Sequence, residues 1–300
     1  MTTRTLTSLL LAAALGFHAT RLAAAEPDTL PTVTVTDTDS DTILSPDTLV
    51  GPYNQPEWTE HRRFSATRVY IQQEPGEIGV EQWWRARSYD NAGPSHRFME
   101  EVEVGLPYRM QLDLYYNWVN EAHISRFDEF SVELRYAFAD WGVIPFNPTL
   151  YFEYAFVNGT YGGDTAETKI LFGDTLGKNW QWGLNLIFES EVSHELSKEF
   201  AVSYGLSRSF SPSFSAGVEM QWVDVTTSST RAHPEIQFEV GPSIQWRISK
   251  NTHLDLVCLF GTTNQGPRTE SFLVFGWDFG GGTGQPKAPD RYAPVSGTRL

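Results

Sequence analysis

The chain has 300 residues, a formal charge of −15 at pH 7 and one cysteine, Cys258. So acidic a chain is a poor partner for nucleic acid, and a single cysteine excludes an internal disulfide framework and paired-cysteine metal sites. Aromatic residues make up 14 % of it, with ten tryptophans, and beyond the first 25 residues no apolar run is long enough for a membrane-spanning helix.

Residues 1–25, MTTRTLTSLLLAAALGFHATRLAAA, carry Arg4, an apolar run from Leu6 to Phe17 and the small-residue site Ala23-x-Ala25. This is the pattern of a secretory signal peptide cleaved before Glu26, which would remove Arg4 and Arg21 and leave a charge of −17. Residues 26–62 are rich in Thr, Asp and Pro and read as a disordered or irregular segment. Within it, Pro31–Asp37 (PTVTVTD) is similar to the box by which some outer-membrane receptors contact an energy-coupling protein. A plain Thr/Val linker tract explains it better, because the chain is too short for such a receptor with its plug.

From residue 66 onward the pattern is strand-like. Strands are expected at 66–73, 77–87, 96–105, 109–119, 127–138, 149–158, 165–174, 179–190, 195–207, 213–224, 235–248, 252–262 and 270–279. Turn chemistry separates them, as at Glu74-Pro75-Gly76, Leu106-Pro107, Gly177-Lys178, Ser211-Pro212-Ser213 and Lys250-Asn251. Tight connections (74–76, 106–108, 176–178, 208–212, 249–251) alternate with looser polar ones (88–95, 120–126, 158–164, 225–234, 263–269). Apolar residues keep one parity within each strand. Trp180, Trp182, Leu184, Leu186 and Phe188 alternate with Gln181 and Asn185; Phe214, Val218, Met220 and Trp222 alternate with Glu219 and Gln221.

A soluble sandwich would also alternate, but its strands average about five or six residues. Many strands here run to ten or more, the length a tilted membrane strand needs. Trp84, Trp118, Trp182, Trp222, Trp246, Trp277 and Phe279 lie near strand ends on the apolar parity, as the aromatic belts at the two lipid–water boundaries do. The fold class expected is therefore all-β, an antiparallel transmembrane barrel of about 12 strands with 14 as the upper alternative. It would occupy 63–279, with 280–300 as a flexible tail. Strand 66–73 has the wrong direction for a first wall strand, so the wall is placed within 77–279 and the residues before it partly in the lumen.

Leu273-x-Phe275-x-Trp277-x-Phe279 resembles the C-terminal signature of Gram-negative outer-membrane barrels, which the barrel assembly machinery recognises. In most such proteins the aromatic ends the chain, whereas here Gly280–Leu300 follow. More loosely, in length, strand number and texture, the chain resembles outer-membrane transporters grouped with aromatic-compound degradation pathways. The resemblance implies an outer-membrane location, the bilayer and the assembly machinery as partners, and passage of a small solute.

If the apolar face meets lipid, the other face lines a lumen. Its ionisable residues would be Glu81, Arg85, Glu101, Glu103, Arg109, Asp113, Glu133, Arg135, Glu153, Glu167, Lys169, Glu189, Glu219, Glu239, Arg247, Asp255 and Asp278. Acids outnumber bases, which implies a hydrated, acidic solute path favouring cations. A salt-bridge network that closes a structural or surface-interaction barrel is an equal reading of the same residues. A lipid-modifying enzyme is the third possibility, with Ser/His pairs at Ser95–His96, His123/Ser125 and Ser193–His194, none in a Gly-flanked nucleophile motif. No catalytic residue, metal site or cofactor is assigned. Cys258 shares the lipid-facing parity of Leu254, Leu256 and Phe260 and reads as a small apolar residue.

Overall fold

A computed structural model describes residues 49–90, 93–121 and 124–280. The leader 1–25, the Pro31–Asp37 box, His123 and the tail from residue 281 lie outside the described residues. The first described elements are a two-residue ladder between β1 (Leu49–Val50) and β2 (Gln55–Pro56) and a 3-10 turn over Glu57–Thr59. The wall follows: β3 (Ile78–Ser88), β4 (Ser95–Leu106), β5 (Met110–Glu121), β6 (Ile124–Ala137), β7 (Thr149–Val157), β8 (Thr165–Thr175), β9 (Trp180–Glu191), β10 (Lys198–Ser211), β11 (Phe214–Thr226), β12 (Glu235–Arg247), β13 (Thr252–Gly261) and β14 (Thr269–Phe279). Each pairs antiparallel with the next. β14 returns to β3 in register from Ile78↔Phe279 to Ser88↔Thr269, closing a twelve-stranded barrel.

The period-2 pattern builds this ring directly. Side chains of one parity point out, and there Val80, Trp84, Phe152, Leu186, Phe200, Val218, Ile244, Leu256 and Trp277 stand exposed around the whole circumference. So continuous an apolar exterior has no place on a protein surrounded by water; it is the lipid-facing band of a membrane barrel. Trp84, Trp246, Trp277 and Phe279 are exposed on it, and Trp118, Trp182 and Trp222 are half-buried by neighbours, Trp118 against Phe98 at a ring separation of 4.2 Å. Closure leaves no unpaired edge, and every ladder hydrogen bond is made inside the wall.

Three expectations need correction. Residues 66–73 are not a strand, although they alternate like one. Tyr70 takes the left-handed region at a φ of 58°, and the backbone amides of this stretch turn to side chains of the wall instead of to a ladder. The boundary expected at 62/63 is also absent: Tyr53, Trp58, His61 and Arg62 are buried together with Phe64, Val69 and Tyr70 in one continuous segment, and the wall begins at Ile78. Third, the loose connection expected at 120–126 shrinks, because β5 runs to Glu121 and β6 restarts at Ile124, with Asn120 bonded to Ser125 at 2.7 Å. The tight-turn end also carries one long connection, 138–148, between β6 and β7, in line with the expected strands 127–138 and 149–158.

Candidate functional site: a plugged lumen

Residues 53–77 enter the barrel at the tight-turn end and fill that half of it. From His61 to Gln73 the backbone belongs to no ladder, so its donors need other partners. The wall supplies them as side chains. Ser65 N and Ala66 N donate to the two oxygens of Glu219 at 3.0 and 2.7 Å. Arg68 N donates to Asn185 Oδ1 at 2.8 Å, and Gln72 N and Gln73 N to Gln111 Oε1 at 2.8 and 3.1 Å. The apolar side chains of the plug need space, and glycines provide it. Gly173, Gly183 and Gly205 are register partners on β8, β9 and β10. A Cβ on Gly205 would lie 2.4 Å from Phe64 Cδ1, and one on Gly183 would lie 2.6 Å from Val69 Cγ2.

The long connection 138–148 closes over the plug at the mouth. Trp141 packs edge-on to Trp58 and Tyr70, at 5.6 and 5.3 Å between ring centroids, and donates its backbone amide to Tyr53 O. Tyr70 Oη donates to Ala139 O at 2.9 Å. Three carboxyls at this end are displaced upward from the ordinary range, Glu74 by burial alone. Burial pushes Glu60 up to about 7, with Glu74 nearby adding to the effect and Arg247 opposing it. Burial likewise pushes Glu77 up to about 7, opposed by the hydrogen bond it accepts from Glu74 N and helped by the charges of Asp278 and Glu74.

The register arranges the inward acids in a way that parity alone conceals. Glu103 faces Asp113, Asp113 faces Glu133, Glu133 faces Glu153, Glu153 faces Glu167, Glu167 faces Glu189 and Glu189 faces Glu199. Seven carboxylates thus form one unbroken cross-strand row over β4–β10. Like charges directly opposite one another destabilise a sheet. At an effective dielectric constant of about 20, two unit charges 4 Å apart interact by about 4 kcal/mol. The lower end of the row is neutralised by guanidiniums. Arg135 Nη2 reaches Asp113 at 2.5 Å, and its Nε donates to Glu133. Arg62 from the plug bridges Glu81 at 2.5 Å and Glu101 at 3.3 Å while lying 4.3 Å over the Trp83 ring. Arg68 from the plug reaches Glu101 at 2.9 Å. Glu81, Glu101 and Glu103, and again Glu101, Asp113 and Glu133, bring oxygens within 4.8 Å of one another; these arginines occupy the place a cation would have.

Above the plug the lumen opens into a cavity of about 480 Å³, floored by Ser65, Ala66 and Arg68. Its lining carries five bases (Arg68, Arg85, Arg87, Arg97, Lys169) and five acids (Glu129, Glu153, Glu167, Glu189, Glu199). The acid excess of the wall is therefore not that of the cavity, because much of it is spent on the plug. Of the residues expected in the lumen, Arg85, Glu153, Glu167, Lys169 and Glu189 line this cavity. Glu81, Glu101, Glu103, Asp113, Glu133 and Arg135 form the buried network below it. Glu219 holds the plug, and Glu239 is buried at the level of Glu270. Arg247 and Asp278 grip the plug at the mouth: Arg247 meets Glu57 at 2.7 Å, and Asp278 meets His61 at 3.0 Å. Asp255 is buried against His253 at 2.5 Å, and His253 also meets Glu81 at 3.4 Å. Arg109 is the exception. It stands in the β4–β5 turn at a φ of 61°, outside any strand's alternation, and bonds Asp140 at the rim.

Sequence reasoning missed Arg62, Arg68, Trp83 and Phe272. The first two lay in a segment read as irregular or as a strand. Trp83 and Phe272 sit among apolar neighbours on both faces, where parity gives no direction. Of the pairs offered for lipid hydrolysis, Ser95–His96 does not assemble: His96 points outward and accepts from Trp84 Nε1 at 3.3 Å, and Ser95 donates to Glu121.

Residues 107–279, more than half of the chain, match the model of the family described as "Putative MetA-pathway of phenol degradation". The chain belongs to that family. No curated protein matches it. Among solved structures, an outer membrane channel from Pseudomonas putida F1 superposes with a TM-score of 0.52 at 10 % identity, over 70 % of this chain and 98 % of that one. The NanC porin superposes with a TM-score of 0.50 at 11 % identity, over 68 % and 99 %. At such identities the likeness is one of fold: this family member has the closed twelve-stranded architecture of outer-membrane channels and porins.

Proposed function

We propose that this family member is a transport barrel of the outer membrane, held closed at one end by its own N-terminal segment, that takes up a small solute from the other. The observation that carries this is the cavity of about 480 Å³ above a floor of Ser65, Ala66 and Arg68. It lies within the roughly 300–1,000 Å³ typical of small-molecule sites. Apart from 138–148, the longer connections sit at the cavity end, which in this architecture is the external face, and the tight turns with the plug face the periplasm. The solute then enters from outside, rests on the plug and passes when the plug moves.

The test is conductance and solute flux of the full chain in planar bilayers and proteoliposomes. Wild type should conduct weakly. Arg62→Ala with Arg68→Ala removes both plug guanidiniums from Glu81 and Glu101, and should raise conductance several-fold while heat-modifiable gel migration shows an intact barrel. Full conductance by wild type would eliminate the plug as a barrier. A folded double variant with neither conductance nor flux would eliminate transport and leave the closed structural barrel, the reading that the buried ion network of Arg62, Arg68 and Arg135 favours.

A further inference from the structure

The charges of the cavity are sorted by strand. In the ring, β3 stands six strands from β9 and β4 six from β10, so these pairs face each other across the lumen. β3 and β4 bring Arg85, Arg87 and Arg97 to the cavity. β9 and β10 bring Glu189 and Glu199, and these continue the carboxylate row from Glu153 and Glu167.

The acidic wall is not neutralised from within, whereas the guanidiniums of the basic wall have carboxylates beside them, of which only Glu129 lines the cavity. Arg85 and Arg87 both turn their Nε to the same oxygen of Glu270, Arg87 at 3.1 Å, and Glu239 is the second acid beside Arg87. Arg97 is held by Asp128 and Glu129 at 2.6 and 2.7 Å. On the opposite side Lys169, the one base that β7–β10 bring to the lining, is committed to Glu167 at 2.7 Å. Trp83, Phe272 and Met99 give the basic wall an apolar surface.

A further observation points to a ligand. Asn117 lines the cavity, is only 2 % exposed, and its Oδ1 is buried without a hydrogen-bond partner. A buried acceptor left unpaired costs about 1–3 kcal/mol, and a donor entering the cavity would remove that cost.

We propose that the cavity binds a small organic zwitterion, a molecule with a carboxylate at one end, an ammonium at the other and an apolar body between. The carboxylate meets Arg85 and Arg87. The ammonium meets Glu189 and Glu199, and the body lies along Trp83 and Phe272. Asn117 Oδ1 accepts from a donor group of the ligand. The separated charges select against molecules charged at one end only, since each would leave one wall uncompensated. This inference rests on the reading that the lumen receives a solute from outside.

The test is isothermal titration of the full chain, folded in detergent at pH 7.5, with three probes of equal length: 6-aminohexanoate, 1,6-diaminohexane and adipate. The zwitterion should bind at least about tenfold tighter than either other probe. Arg85→Gln with Arg87→Gln should move the preference to the diamine, and Glu189→Gln with Glu199→Gln should move it to adipate, each variant being checked for heat-modifiable migration. Tightest binding of the diamine or of adipate to wild type overturns the proposal, as does a preference that neither pair of substitutions moves. Absence of binding by all three probes also overturns it. If the Arg62→Ala, Arg68→Ala barrel still conducts in that case, transport survives and only the solute class falls.

Discussion

Arg135 concentrates the energetics of the lower lumen in one side chain. It is fully buried, and its guanidinium serves Asp113, Glu133 and Gln72 together. A buried ion pair contributes little net stability against an apolar replacement of the whole cluster, but removing one partner strands the other. Arg135→Met should therefore destabilise the folded barrel by about 3–5 kcal/mol, read as a lower urea midpoint of heat-modifiable migration. Adding Asp113→Asn and Glu133→Gln should recover most of the loss. If the triple variant is no better than the single one, packing and not charge is what Arg135 provides. The sequence places Glu133 and Arg135 on the inward parity, but it does not reveal that Asp113 stands opposite Glu133. That depends on the register between β5 and β6, which the bulge at Asn117/Trp118 shifts by a residue.

The plug is the element that decides whether the lumen conducts, and its fit can be probed from both sides. Gly205→Val puts a Cβ 2.4 Å from the Phe64 ring atom that now fills that space. The wall should still close, since its ladders do not pass through the plug, and conductance in planar bilayers should rise. Unchanged conductance would mean that Phe64 does not seat the plug. A second handle is pH. Glu60 and Glu77, both raised to about 7 when the plug is docked, return towards 4.5 when it is released. The docked state then holds more protons between those values, so its advantage is complete below about 4.5 and is lost as pH rises through about 7. Conductance should increase from pH 5 to pH 8, and Glu60→Gln with Glu77→Gln should flatten that dependence. These groups face Glu57, Glu74, Asp278 and Arg247, so the variant tests carboxylate crowding and not a single pair. In the sequence the plug was legible only as a segment of the wrong direction for a wall strand. Its own alternation imitates β3–β14, and nothing local tells that Gly173, Gly183 and Gly205 come into one row to receive it.

At the scale of the whole molecule, the wall was the legible part. Strand length, one-sided alternation and the aromatic ends specify a twelve-strand ring and the side that faces lipid, because lipid imposes the same demand on every strand. The demand is measurable. Leu256 is exposed at the middle of β13, and Leu256→Arg should cost about 2–4 kcal/mol of folding free energy in vesicles; a negligible loss would argue that this face does not meet hydrocarbon. The interior escaped sequence reasoning for the complementary reason. Val257, Leu259, Phe272 and Val274 are apolar residues on the inward face, so no contrast with their neighbours marks the side they take.

The plug is fastened mainly by side chains, whereas each wall strand is fastened by the backbones on both sides of it. Ser65, Ala66, Arg68, Gln72 and Gln73 all give their amide hydrogens to Glu219, Asn185 or Gln111. Such bonds can open one or two at a time without breaking a ladder, so the molecule should have two tiers of stability. In hydrogen–deuterium exchange these five amides should label well before those of β3–β14, and labelling of both at one rate would show that segment and ring come apart only together.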